Sequence, residues 1–160
     1  MQQTKTIYYK TPIGTAKIVG DNNGIQSISV LDDDIETSKE IPICLQDCVL
    51  QLEEYFKGKR DHFNLTVNPK GTKFQIKVWK SLLKINYGKT KSYLEQSKAL
   101  GDVKAIRAVA SANGKNPIWI IIPCHRVIGS DGSLTGYAGG IWRKKWLLAH
   151  ENPVKQQSLF

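Results

Sequence analysis

The pentapeptide NPKGT, residues 68–72, divides the chain into two stretches with different hydrophobic periods, and Pro and Gly are the residues that most strongly interrupt regular structure. Before it, KTIYYK, then TAKIV after the Pro12–Gly14 turn, then IQSISVL after DNNG read as the three short strands of a β-meander. An acidic connector, DDDIETSKE, leads to a helix whose apolar stripe is Leu45, Val49, Leu52 and Phe56, ended by Gly58. After the break the period turns helical. In TKFQIKVWKSLLKI, Phe74, Val78 and Leu82 recur every four residues, while Lys73, Lys77, Lys80 and Lys84 fall on other faces. The pattern predicts an α+β chain with a sheet-and-helix N-terminal domain over 1–70 and a helical C-terminal domain over 71–160.

Charge divides at the same place. Residues 1–70 hold 8 Lys/Arg against 10 Asp/Glu, a net of −2, whereas residues 71–160 hold 15 against 4, a net of +11. Positive charge concentrated on one half points to a polyanion, nucleic acid before an anionic membrane, because phosphate contacts release counterions. The longest strongly apolar stretch, Ile118 to Ile122, is far shorter than a membrane span, and the first residues lack the apolar core of a signal peptide. A soluble protein is expected, cytoplasmic, or nuclear if eukaryotic. Three cysteines, Cys44, Cys48 and Cys124, argue against a disulfide framework. Cys44 and Cys48 lie one helical turn apart without a second Cys/His pair to complete a zinc site, so no metal is expected.

KSYLEQSKALGDVKAIRAVASANGKNP holds two helical patterns broken at Gly101–Asp102, a helix-turn-helix arrangement. Ser92 and Glu95 have capping-box spacing, Asp102 can cap the second helix and Gly114 can end it. That helix carries Ala105, Ala108, Ser111 and Ala112, small side chains that permit close approach, together with Lys104 and Arg107. Tight internal packing explains the alanines well and the basic residues among them less readily; DNA contact is the alternative that accommodates both.

IIIPCHRVIG, residues 120–129, sets Cys124 beside His125. A free thiol is mostly protonated at neutral pH, so a nucleophilic cysteine needs a base or positive charge, and His125 and Arg126 are the candidates. Neighbours on an extended segment point to opposite faces, which favours a bridging water between thiol and imidazole. The imidazole in turn wants a carboxylate to fix its tautomer. After Cys124 the acids are Asp131 and Glu151. Asp131 sits in the turn-like SDGS, where it would bond local backbone, and Glu151 follows the apolar helix IWRKKWLLAH; Glu151 is the preferred partner.

NPIWIIIPCHRVIGSDGSLTGYAGG followed by WLLAHE resembles the methylated-DNA–protein-cysteine methyltransferases, the O6-alkylguanine-DNA alkyltransferases. The resemblance is strong over roughly residues 72–151 and one of layout before them. It implies a ribonuclease-H-like N-terminal domain and a winged-helix-like C-terminal domain with a helix-turn-helix. It implies that Cys124 is the alkyl acceptor, activated through water by His125, with Glu151 completing the relay and Asn116 bracing the thiol segment. Tyr93 would assist at the pocket and the target phosphate, and Arg107 would fill the gap left by an extruded guanine, beside Ala105, Ala108 and Ser111. Pro123, Tyr137, Ala138 and Gly139 would wall the pocket of the flipped base. Two departures stand out: Ala138 replaces a serine of some relatives, and the zinc site of others has no counterpart. The expected reaction is a single irreversible transfer from O6-methylguanine, and O4-methylthymine, in double-stranded DNA. It leaves a thioether and needs neither cofactor nor small-molecule methyl donor, and the protein acts as a monomer. The rivals are a lesion-binding protein that removes nothing and a helix-turn-helix transcription factor, neither of which needs the Cys–His–Glu set.

Overall fold

The computed structural model describes residues 3–152; the VKQQSLF tail lies outside them. The chain forms two compact units, one of Met1–Lys70 with Pro117–Trp119, the other of Gly71–Asn116 with Ile120–Phe160.

In the first unit, strands β1 (Lys5–Thr11), β2 (Gly14–Asp21) and β3 (Gly24–Leu31) make an antiparallel meander in that order. Register places Ile7 opposite Ile18 and Ile18 opposite Ile28, and this buried row of isoleucines crosses the whole sheet. The β2–β3 turn requires glycine: Gly24 has φ +133°, and a Cβ there would lie 2.8 Å from the Thr66 carbonyl oxygen. Helix α1 (Ile43–Phe56) packs on the sheet through Leu45, Cys48, Val49, Leu52 and Tyr55. Fully burying a leucine contributes about 2 kcal/mol, so this stripe is a principal stabiliser of the unit. The expected stripe is shifted at its end, where Tyr55 is fully buried and Phe56 only half-buried. Gly58, at φ +74°, closes the helix with its N–H on the Tyr55 carbonyl. Pro117–Trp119 joins the edge of β3: Ile28 N–H donates to Pro117 O at 2.9 Å and Trp119 N–H to Ile28 O at 3.0 Å.

The second unit begins with α2 (Lys73–Leu82), whose Thr72–Gln75 capping box is complete. Val78 and Leu82 are buried as expected, but Phe74 is 40% exposed, and Trp79 fills the core instead because its indole N–H reaches Ala112 O at 2.8 Å. Strand β4 (Lys91–Ser92) pairs in parallel with β5 (Val127–Ile128). Helices α3 (Tyr93–Ala99) and α4 (Ile106–Gly114) form the helix-turn-helix. The Ser92–Glu95 box caps α3; Asp102 caps a 3-10 turn, Val103–Ala105, that precedes α4, so Ala105 lies just ahead of that helix. Gln96 and Asn113 exchange two buried amide hydrogen bonds, at 2.7 and 3.0 Å, which lock α3 to α4. Helix α5 (Ile141–Glu151) ends the described chain. Among the described residues no helix is long and apolar enough to cross a membrane.

Candidate active site

Cys124, His125 and Arg126 form one 3-10 turn, not the extended segment that adjacency suggests. Pro123 precedes the turn, and Arg126 N–H returns to the Pro123 carbonyl at 3.0 Å. Upstream, buried Ile120 holds φ +71°, a left-handed conformation that costs a β-branched residue on the order of 1–3 kcal/mol and must be held by its surroundings. The turn separates the thiol, which meets Asn116, from the imidazole and guanidinium, which both meet Glu151.

The Cys124 thiol receives a hydrogen bond from Asn116 Nδ2 at 3.3 Å, and the same amide donates to Ile122 O at 2.6 Å. Asn116 thereby ties the thiol to the segment that carries it. His125 is fully buried, and its Nε2–H donates to Glu151 Oε2 at 2.7 Å. Arg126 does not turn to the thiol. It forks onto Glu151, Nε to Oε1 at 2.8 Å and one terminal nitrogen to Oε2 at 3.1 Å, and its other terminal nitrogen holds Ile85 O at 2.7 Å. Burial alone would raise the Glu151 pKa, but the neighbouring imidazole and the Arg126 guanidinium hold it well below the usual carboxylate range. Burial lowers the His125 pKa against the opposing pull of Glu151, so the ring is neutral at pH 7, protonated at Nε2. Its Nδ1 is buried without a hydrogen-bond partner among the described residues, which leaves a basic lone pair inside the protein.

Lys144, on α5, completes the cluster. The side chain is fully buried; its Nζ donates to Thr135 O at 3.0 Å and to the Tyr93 hydroxyl at 3.4 Å. Burial brings its pKa down to about 8, opposed by the charge of a Cys124 thiolate. Burial raises the Cys124 pKa, while the Asn116 hydrogen bond and the Lys144 charge pull it back. The Tyr93 hydroxyl, raised by burial, donates to Thr135 O at 3.2 Å.

Tyr137, Ala138 and Gly139 lead into α5, where Arg143 donates to Gly139 O at 2.8 Å and lies over the Trp142 ring at 4.4 Å. Ala138 is exposed and Tyr137 half-buried; Pro123 is buried next to the thiol in the chain. On α4, Arg107, Ala108 and Ser111 form an open face with half-buried Ala105 ahead of it. Ala112 does not share that face: it is buried and accepts the Trp79 indole bond. Asp131 is exposed and accepts from Ser133 N–H at 3.0 Å within its own turn.

The structure thus gathers Cys124, His125, Glu151, Asn116 and Tyr93 in one cluster, turns Arg126 from the expected place beside the thiol onto Glu151, and adds Lys144. Lys144 is readable in principle: Lys144, Leu147 and Glu151 follow i, i+3, i+7 spacing and share the inward face of α5.

Two family models cover nearly all of the chain: the 6-O-methylguanine DNA methyltransferase ribonuclease-like domain over residues 5–69 and the DNA binding domain of the same proteins over 73–153. The methylated-DNA–protein-cysteine methyltransferase of Methanosarcina barkeri is 44% identical, with 91% of this chain and 97% of that protein covered. The protein of the same name from Mycobacterium tuberculosis is also 44% identical, covering 91% of this chain and 92% of its own. A crystal structure of Mycobacterium tuberculosis OGT in complex with DNA matches with a TM-score of 0.82 at 40% identity, covering 96% of this chain and 98% of that one.

Proposed function

Because this chain belongs to the 6-O-methylguanine DNA methyltransferase family, and so repairs DNA by transferring an alkyl group from a damaged base to a cysteine of its own, we propose that the acceptor is Cys124. The observation that carries this assignment is the buried chain Arg126–Glu151–His125, which ends in an imidazole nitrogen without a hydrogen-bond partner among the described residues, on the residue next to a thiol held by Asn116.

His125 Nδ1 takes the thiol proton through one water, since the site is polar and the nitrogen needs a partner. Glu151 stabilises the imidazolium that results, and Arg126 keeps Glu151 ionised. Asn116 and Lys144 stabilise the thiolate. Its sulfur attacks the alkyl carbon of O6-methylguanine; the carbon–oxygen bond breaks and its electron pair leaves with the base. Tyr93 gives the departing guanine a proton, and the adjacent Lys144 ammonium stabilises the phenolate. A thioether remains on Cys124, which no thiol exchange reverses, so each molecule acts once.

The damaged base is extruded into a pocket walled by Pro123, Tyr137, Ala138 and Gly139, with Arg107 entering the stack from α4. A free acceptor thiol working on DNA supports the cytoplasm, or the nucleus of a eukaryote, as its place. Incubation with excess methylated DNA followed by peptide mass analysis tests the assignment: one methyl group on the Cys124 peptide is expected. More than one lesion repaired per molecule, or methyl on another cysteine, would refute it. A transcription factor would show no transfer at all.

A further inference from the structure

Helix α2 and the end of α3 enclose a groove of about 430 Å3 that shares no residue with the Cys124 cluster. Lys73, Lys77, Lys80 and Lys84 line it from α2 and the residues just after it, and Lys91 from β4; no carboxylate is among its lining residues. At 100° per residue the first four lysines fall within a stripe about 60° wide, and at a rise of 1.5 Å per residue they span about 16 Å. Like charges at i, i+4 destabilise a helix, and Lys73 and Lys77 also sit near the positive end of the α2 dipole. The helix itself gains nothing from the charges of Lys73 and Lys77, whereas Lys80 and Lys84, in or just past its last turn, suit the negative end of the dipole. None of the five lysines has an ion-pair partner among the described residues, and the four on the α2 side are exposed. Glu95, whose charge reaches Lys91, is engaged in capping α3. The floor is apolar, Ile76 and Leu100, and suits sugar faces between phosphates. Ala99 and Leu100 belong to the helix-turn-helix, and Lys77 Nζ donates to Leu100 O at 3.5 Å, so the groove borders the DNA-contacting motif directly.

We propose that this groove holds the phosphodiester backbone of the bound duplex outside the segment contacted by α3 and α4. The proposal rests on DNA as the partner but not on any role of Cys124. Each backbone phosphate neutralised lowers the slope of log K against log salt by about 0.9, and a 16 Å stripe covers about 5 base pairs at 3.4 Å each.

The test uses Lys73→Gln/Lys77→Gln/Lys80→Gln/Lys84→Gln in the full chain, with anisotropy titrations of undamaged 12- and 30-base-pair duplexes over a range of salt. The expected result is a salt slope shallower by about 3 to 4 on the 30-mer and little changed on the 12-mer, with the reaction toward free O6-benzylguanine kept at the wild-type rate. Unchanged slopes with intact free-base reaction would overturn the proposal, as would equal losses at both lengths with two duplexes bound per protein. Loss of the free-base reaction would indicate a damaged fold. Lys77→Gln and Lys80→Gln alone then decide, each reducing the 30-mer slope by about 0.9 if the groove holds DNA and by nothing if it does not. Failure of DNA binding in the wild type would instead count against the family function itself.

Discussion

Cys48 in the first unit is a buried thiol and Cys124 in the second a half-buried one, and they differ in what surrounds them. Cys48 packs on α1 among apolar side chains, and burial alone drives its pKa up to about 12. Burial also raises Cys124, but Asn116 and Lys144 oppose it, and a neutral imidazole backed by Glu151 is the next residue along. The same contrast extends to the units. The first is built on Ile7, Ile18, Ile28, Leu45 and Leu52; the second buries Arg126, Arg143, Lys144 and Glu151. Burying charge contributes little to stability and is costly when a partner is lost, so its concentration around one thiol marks chemistry rather than folding.

The largest expected effect comes from exchanging the thiols' roles. Cys124→Ser should abolish transfer while DNA affinity persists, because the hydroxyl is neutral and nearly isosteric. Cys48→Ala should keep one-to-one stoichiometry and lose on the order of 1 kcal/mol in denaturant melts. Any methyl recovered on Cys48 would erase the contrast.

Next in size, Glu151→Gln strands the Arg126 charge inside the protein. Unfolding free energy should fall by about 3–5 kcal/mol, and the single-turnover rate should drop by roughly 100-fold or more. The same variant sharpens the acid limb of stability. The folded Glu151 carboxyl releases its proton more readily than the unfolded one, so its contribution is present above about pH 4.3 and is lost as pH falls toward the folded value. Melts between pH 6 and 3 should be steeper for wild type than for Glu151→Gln; parallel curves would contradict the ion pair.

Lys144→Met should slow transfer at pH 7 by roughly 10-fold, with recovery at high pH as the thiol ionises without help. A pH–rate profile identical to wild type would remove Lys144 from thiolate stabilisation. The smallest effect belongs to Arg143→Ala, which releases Gly139 O: reaction with O6-benzylguanine should slow by about 5-fold, equivalent to about 1 kcal/mol, with methyl transfer affected less.

Features set by near neighbours are legible in the amino-acid order. Strand alternation across DNNG and the Ser92–Glu95 box depend on residues within a few positions and form where the pattern puts them, whereas Asp102 caps the 3-10 turn ahead of α4 rather than the helix itself. The preference for Glu151 over Asp131 follows the same logic, since a turn aspartate bonds its own turn. The pattern misleads where several local answers are equivalent. A helical stripe read at four-residue spacing accepts Phe56 or Tyr55, and Phe74 or Trp79; packing against the sheet and the reach of the indole to Ala112 O decide both.

Sequence by itself determined the two-part layout, the charge on the second part, the helix-turn-helix and the Cys–His–carboxylate series, because periods, caps and adjacency are short-range properties. Tertiary structure alone decided that Pro117–Trp119 joins β3, that Arg126 serves Glu151 rather than the thiol, that Lys144 is buried against Tyr93, and that four lysines on the α2 side share a groove with Lys91. Those pairings bring together groups far apart in the chain, and charge carries no sequence address: it finds its partner only once desolvation has made an unpaired position too costly to occupy.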